Sequence, residues 1–260
     1  MILDELVRVT QINLQQRLQQ KDITTLKQAV AGLPPLVDFP FEQILRQQPM
    51  TMIAEIKQSS PSKGQIVPAD QFDYCAIAKD YQTAAVDLIS VLTEESYFKG
   101  SLTILQEVVQ TVDVPVLRKD FIIAPEMIYE ARSAGAAVIL LIVAILTDEQ
   151  LVTYLALADQ LGLSAIVEVH DEIEVARAIR AHARIIGVNN RNLKNFTVDF
   201  GNTERLRHLI PNDILVISES GIQTRHDVER LENMQVNGIL VGETFMRATD
   251  KINMIKTLRG

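Results

Sequence analysis

A chain of 260 residues with 47% hydrophobic and 22% charged residues has the balance of a globular protein and not of a disordered one. Its formal net charge of −8, without a long basic run, argues against nonspecific nucleic-acid binding, and an anionic ligand would need a few cations gathered in one place. The single cysteine, Cys75, excludes an internal disulfide and fits a reducing compartment.

In chain order, residues 1–30 are helical by pattern and rich in glutamine, with acids where a secretory leader would be basic. The run Gly32-Leu-Pro-Pro breaks that helix, and residues 41–47 suggest one more short helix. Residues 1–48 are therefore expected to form an N-terminal helical extension, and 49–260 the remainder of one domain. The extension has two possible roles, a packing cover over one end or a lid over an active site.

From residue 51 onward, a short apolar, β-branched run alternates with a longer amphipathic one. Strands are expected at 51–57, 86–93, 114–120, 137–143, 164–170, 184–189, 214–220 and 238–242. Helices are expected between them at 68–84, 101–111, 125–134, 147–161, 171–182, 198–209 and 224–234, with a last one inside 243–258. Ser101 suits a helix N-cap, Pro125 a first helical turn, and Thr147 with Gln150 a capping box. Gly135 and Gly162 suit helix ends. The most apolar run, 134–146, is well short of the ~20 residues that span a bilayer. No membrane association and a cytoplasmic location are expected.

Strands separated by helices imply parallel pairing through crossovers, and eight such units imply closure into a (β/α)8 TIM barrel carrying the N-terminal extension. Such barrels do their chemistry at the C-terminal ends of the strands. Six of the eight expected strands end in polar or glycine-containing clusters. Side chains alternate along a strand, so Glu55 and Lys57 share a face that should look into the barrel mouth. In 117–120 one face carries Leu117 and Lys119, the other Arg118 and Asp120, and alternation does not say which is inward. Glu168 and His170 share a face, Asn189 and Arg191 end the sixth strand, and Glu219 and Ser220 the seventh. Glycine near Ser220-Gly221-Ile222 and at Gly242, ahead of an expected short helix at 243–247, suits backbone approach to a phosphate.

These segments resemble indole-3-glycerol phosphate synthases. The carriers are IAEIKQSSPSKG at 53–64, SVLTE at 90–94, YFKG at 97–100, PVLRKDF at 115–121 and LLI at 140–142. They continue with VEV at 167–169, GVNNRNL at 187–193, SESGI at 218–222 and LVG at 240–242. The resemblance spans about residue 50 to the C-terminus, and a helical N-terminal extension is also a family feature. It implies ring closure, decarboxylation and dehydration of 1-(2-carboxyphenylamino)-1-deoxyribulose 5-phosphate in tryptophan biosynthesis, without metal or organic cofactor. It implies that Lys119 is the inward general acid, that Glu168 assists dehydration, that Lys57 binds the anionic substrate and that Glu55 orients Lys57. Asn189 and Glu219 match further catalytic positions. Ser60, Phe98, Phe121, Arg191, Ser220, Gly221 and Gly242 match substrate-binding ones, the last three near the phosphate. Glu94 and Glu243 depart from residues seen in some relatives, and Glu243 is left out of the phosphate assignment.

The nearest rival is another phosphate-binding barrel, a phosphoribosylanthranilate isomerase, which needs a cysteine–aspartate pair. Cys75 falls in an expected helix, where a small buried hydrophobe is the simpler reading. His170, His182, His208 and His226 lack metal-ligand spacing, so no metal site is expected. A non-catalytic barrel would have lost its charged strand tips. The expected partner is a small phosphorylated substrate and no nucleic acid, with a monomer favoured and a dimer as the alternative.

Overall fold

The computed structural model describes residues 2–36, 38–193 and 196–260. Eight strands, β1 (Thr51–Ile56), β2 (Leu88–Leu92), β3 (Val116–Lys119), β4 (Val138–Ile142), β5 (Ser164–Val169), β6 (Ile185–Asn189), β7 (Leu215–Glu219) and β8 (Gly238–Val241), close into a barrel. Every neighbouring pair is parallel, β1 pairing with both β2 and β8. This is the expected TIM barrel, and each strand lies within two residues of its expected bounds. Parallel neighbours need a crossover, and the helices provide them: α4 (Tyr74–Thr83), α5 (Leu102–Thr111), α6 (Pro125–Ser133), α7 (Asp148–Gln160), α8 (Glu172–Arg180), α9 (Gly201–Arg207) and α10 (Arg225–Asn233).

Local chemistry sets the helix starts. The Ser101 hydroxyl accepts the Ile104 N–H at 3.1 Å, and Thr147 and Gln150 cap each other reciprocally, as expected. Elsewhere the caps correct the periodicity. The helix expected over 1–30 is two, α1 (Ile2–Gln20) and α2 (Ile23–Ala31), because the Asp22 carboxylate accepts the Thr25 N–H and starts a new helix. The helix expected from residue 68 begins only at Tyr74, capped by Asp73 and preceded by a 3₁₀ turn at Ala69–Gln71. The one expected over 198–209 contracts to α9, since Val198 is drawn into a bridge with Arg191. The last region holds two helices, α11 (Glu243–Arg247) and α12 (Lys251–Arg259), the second capped by Asp250. A small antiparallel hairpin, Ser59–Ser60 with Gly64–Gln65, follows β1 and was not expected.

Alternation divides the apolar side chains into two layers. Met52, Ala54, Ile89, Val91, Ile139, Leu141, Ile186 and Val188 face outward into the layer shared with the helices. Ile53, Leu88, Leu117, Leu140, Ile166, Ile185, Ile217 and Leu240 fill the barrel interior. Each such burial stabilises by about 1.5–3 kcal/mol against exposure, so register is strongly fixed and the charged tips have one place left to go.

The extension touches both ends of the interior. From α3 (Pro40–Gln47), Phe41 and Leu45 join the inner cluster, and Leu45 lies beside Gly238 at the start of β8. From α1, Leu6 joins the same cluster and lines the cavity at the other end. Cover at the base and wall at the mouth are thus divided between two helices.

Candidate active site

At the C-terminal ends of the strands opens a cavity of about 1160 Å³. Its walls include all six residues expected to be catalytic, Glu55, Lys57, Lys119, Glu168, Asn189 and Glu219. They also include Ser60, Phe98, Phe121, Arg191, Ser220, Gly221 and Gly242, expected to bind substrate. Five strand tips and six loops bring these together, and none of the thirteen lies elsewhere.

The choice left open on β3 is decided by packing. Leu117 lies inside the barrel and Lys119 on the same face, at the cavity. Arg118 is fully buried in the outer layer, where its guanidinium donates to Thr93 Oγ1, the Met127 carbonyl, Glu130 Oε2 and Asp120 Oδ2 at 3.1, 2.6, 3.1 and 2.9 Å. A buried charge persists only when paired and hydrogen-bonded, and these four partners meet that condition for Arg118.

Lys119 Nζ stands between two carboxylates, 3.1 Å from Glu168 Oε2 and 3.2 Å from Glu219 Oε2. Burial opposes its charge, but the carboxylates of Glu168, Glu219 and Glu55 outweigh burial and raise its pKa above the ordinary lysine value. The two carboxylates, alike in distance, differ in state. Burial pushes Glu219 up to about 7, aided by the charge of Glu168 and only partly offset by Lys119. Burial works the same way on Glu168, yet Lys119 and His170 overcome it and hold that carboxyl below the usual range. His170 Nε2 lies 3.3 Å from Glu168 Oε1, on the side away from the lysine.

Across the cavity, Lys57 Nζ donates to Glu55 Oε1 at 2.5 Å. Glycine at 242 leaves room for the pair where it stands: a Cβ there would collide with Glu55 Oε1 and sit 2.8 Å from Lys57 Nζ, so the two side-chain ends would have to shift. Gly187 does the same for Glu219, whose Oε1 would be 2.5 Å from an added Cβ.

One end of the cavity is aromatic, with the Phe98 and Phe121 rings 6.2 Å apart between centroids. Glu94 holds that end in place, its carboxylate accepting the backbone N–H groups of Ser96, Tyr97 and Phe98 at 2.9, 2.7 and 3.0 Å. At the other end, Ser220 and Gly221 take consecutive positive φ values of 69° and 85°, and Thr244 ties this loop to the next by donating to the Ile222 carbonyl. Glu243 turns toward cations, 3.0 Å from Arg247 Nε and 3.4 Å from Lys63 Nζ. Arg191 Nη1 donates to Ser62 Oγ at 3.4 Å, linking the first and sixth loops. Cys75 sits half-buried in α4, against Thr111 and outside the cavity.

A model of the indole-3-glycerol phosphate synthase family matches residues 3–258. The chain belongs to that family. A protein named indole-3-glycerol phosphate synthase from Leuconostoc mesenteroides subsp. mesenteroides is 62% identical over 260 residues, covering 100% of this chain and 99% of the relative. One of the same name from Lacticaseibacillus paracasei is 52% identical over 259 residues, covering 100% and 99%. Among solved structures, a KGPDC from Streptococcus mutans superposes with a TM-score of 0.65 at 12% identity, over 82% of this chain and 96% of that one. A 3-hexulose-6-phosphate synthase gives 0.64 at 14% identity, over 81% and 98%. These two share the barrel fold alone.

For this member of the indole-3-glycerol phosphate synthase family, the site contains residues that the motifs did not single out. Leu6 lies over forty residues before the first strand, so no local pattern ties it to the cavity. Asn190 faces away from it, holding the Ser218 hydroxyl and the Ser220 carbonyl at 3.1 and 3.0 Å while accepting from Thr203. It shapes the loop that carries Ser220. Among the described residues no helix is long and apolar enough to cross a membrane.

Proposed function

We propose that this cavity carries out the indole-3-glycerol phosphate synthase reaction on 1-(2-carboxyphenylamino)-1-deoxyribulose 5-phosphate with Lys119 as general acid and Glu168 as its partner. The observation that carries the role assignment is Lys119 Nζ between Glu168 and Glu219, facing a cavity with aromatic side chains at one end and glycine-containing loops at the other. The aromatic ring of the substrate lies against Phe98 and Phe121, and its phosphate on the backbone N–H groups of 220–222 and 242, with Ser60 and Arg191 at the rim. Lys57, oriented by Glu55, takes the substrate carboxylate.

Chemistry follows from those placements. The ring carbon bearing the carboxylate attacks the ketone carbon, and negative charge develops on the ketone oxygen, where the Lys119 ammonium supplies the proton. Loss of carbon dioxide then restores the aromatic ring. The new hydroxyl leaves as water on a proton from the Lys57 ammonium, while Glu168 takes the proton lost from the neighbouring carbon. Asn189 and Glu219 complete the polar wall. The acidic charge and the single cysteine support action in the cytoplasm, and a site drawn from one chain supports a monomer.

Indole fluorescence should rise when purified protein meets this substrate, equally with and without chelator. Lys119→Ala should lower turnover by about 100- to 10,000-fold, with an unchanged circular dichroism spectrum. Turnover within several-fold of wild type would end this assignment of the acid.

A further inference from the structure

Two carboxylates flank Lys119 at nearly equal distances, 3.1 and 3.2 Å, and both are almost fully buried. Distance to the lysine therefore cannot distinguish an acid from a base. What differs is the second oxygen of each. Glu219 Oε1 is buried and has no hydrogen-bond partner among the described residues. Glu168 Oε1 faces His170 Nε2 at 3.3 Å, within ion-pair reach though not aligned as a hydrogen bond.

The His170 ring lies behind Glu168 and does not line the cavity. Its position is set by α8. Asp171 caps that helix by accepting the Glu174 N–H at 2.9 Å, which fixes the first turn. The Glu174 carboxylate reaches back from that turn, and one oxygen takes both the His170 N–H at 2.7 Å and Nδ1 at 2.9 Å. From α9, Asn202 donates to the His170 carbonyl at 3.2 Å, and Arg205 of that helix pairs with Glu172 and Asn202, not with the ring. Among the described residues, the charged groups that face the ring are thus Glu168 and Glu174.

A carboxylate can only accept, so Nδ1 must be the donor to Glu174. A neutral ring would then point the lone pair of Nε2 at the Glu168 carboxylate. The arrangement is favourable only when both ring nitrogens carry protons.

We propose that His170, held as a cation by Glu174, is a positioning residue that assigns the acid and base roles between Glu168 and Glu219, keeping Glu168 ionised after Lys119 has given up its proton. The inference rests on the reading of Lys119 and Glu168 given above. Without it, the loss of the lysine's charge would leave two buried carboxylates competing for one proton at similar distances. The raised pKa of His170, about 10 once its two carboxylates have outweighed burial, agrees with the geometry.

The test begins with the wild-type enzyme. Nitrogen-15 shifts of the His170 ring should show both nitrogens protonated between pH 7 and pH 9; a neutral ring throughout overturns the proposal. His170→Gln should then lower kcat by roughly tenfold with KM within about twofold, and move the acidic limb of the kcat profile toward neutral pH by about one unit. Glu174→Gln should shift that limb in the same direction by less, and it decides the matter if the His170 variant fails to fold. Variants with an unmoved limb and unchanged kcat overturn the proposal while the reaction stands. A wild-type protein that forms no indole product removes the proposed function instead, and the ring shifts still report whether His170 is charged.

Discussion

Glu219 combines near-complete burial with an oxygen that has no partner among the described residues, and its carboxyl is raised from an ordinary 4.5 to about 7. In the unfolded chain it loses its proton at a lower pH than in the folded one. Folding therefore binds a proton across that window, and stability contributed by this group is complete at low pH and lost as pH rises toward 7. Glu219→Gln removes the titration. The variant should gain on the wild type by on the order of 2 kcal/mol between pH 5 and pH 8, while its turnover falls. Thermal melts of both proteins across that range check this, and an unchanging difference in Tm rules it out. The residue scale also shows where a sequence stops informing. Glu55 and Lys57 were legible as a pair because alternation puts both on one face. Arg118 and Lys119 were not separable, because either face of 117–120 offers one cation. Thr93 on the preceding strand's loop and Glu130 on the following helix hold Arg118 outward. Those partners come from separate segments, and no spacing within the strand encodes them.

At the scale of elements, strands were legible because inner and outer layers demand apolar residues at both parities, leaving dense β-branched runs. Helix bounds were less so wherever a cap overrode periodicity, as Asp22 and Asp73 do. The hairpin after β1 has two residues per strand, too few for alternation to register. What the site requires of its elements is close approach, most plainly where the tip of β8 meets the tip of β1. Gly242 leaves room for the Glu55–Lys57 pair, and its φ of −115° is open to any residue. Alanine there should fold normally, because the backbone needs no change. Its methyl group must push the pair aside, and displacement of about 1 Å at a reacting group can cost ~100-fold. Gly242→Ala should thus reduce kcat by roughly 10- to 100-fold with Tm within a few degrees of wild type. Steady-state kinetics beside a thermal melt decide it; a variant with wild-type kcat shows that the pair tolerates the intrusion.

For the whole molecule, the inner apolar cluster draws on Leu6 and Leu45 as well as the strands, which ties the extension to the barrel. The two parts of that extension should differ in what their loss costs. At the base, α3 fills space between strand ends and is tied to the start of β6 by Glu42 and Arg184 at 2.9 Å. At the mouth, α1 supplies Leu6 to the cavity wall and Arg17 to a buried chain of charges. Arg17 Nε donates to Glu130 Oε1 at 2.8 Å, and the other oxygen of Glu130 takes Arg118 Nη1, whose neighbour in β3 is Lys119. Removing residues 1–20 leaves the closed barrel and its base cover, so far-UV circular dichroism should keep the barrel signature. It strips the wall beside the aromatic end of the cavity and leaves Glu130 with one cation in place of two. Substrate binding should then weaken more than chemistry does. KM should rise by roughly tenfold or more, since about 1.4 kcal/mol of lost contact accounts for each factor of ten. Leu6→Ala in the full chain separates the two effects, because it opens the wall and spares the Arg17–Glu130 pair. A several-fold rise in KM with unchanged kcat is expected for it. A truncated protein that binds substrate as tightly as the whole chain would reduce α1 to a cover, with no part in the site.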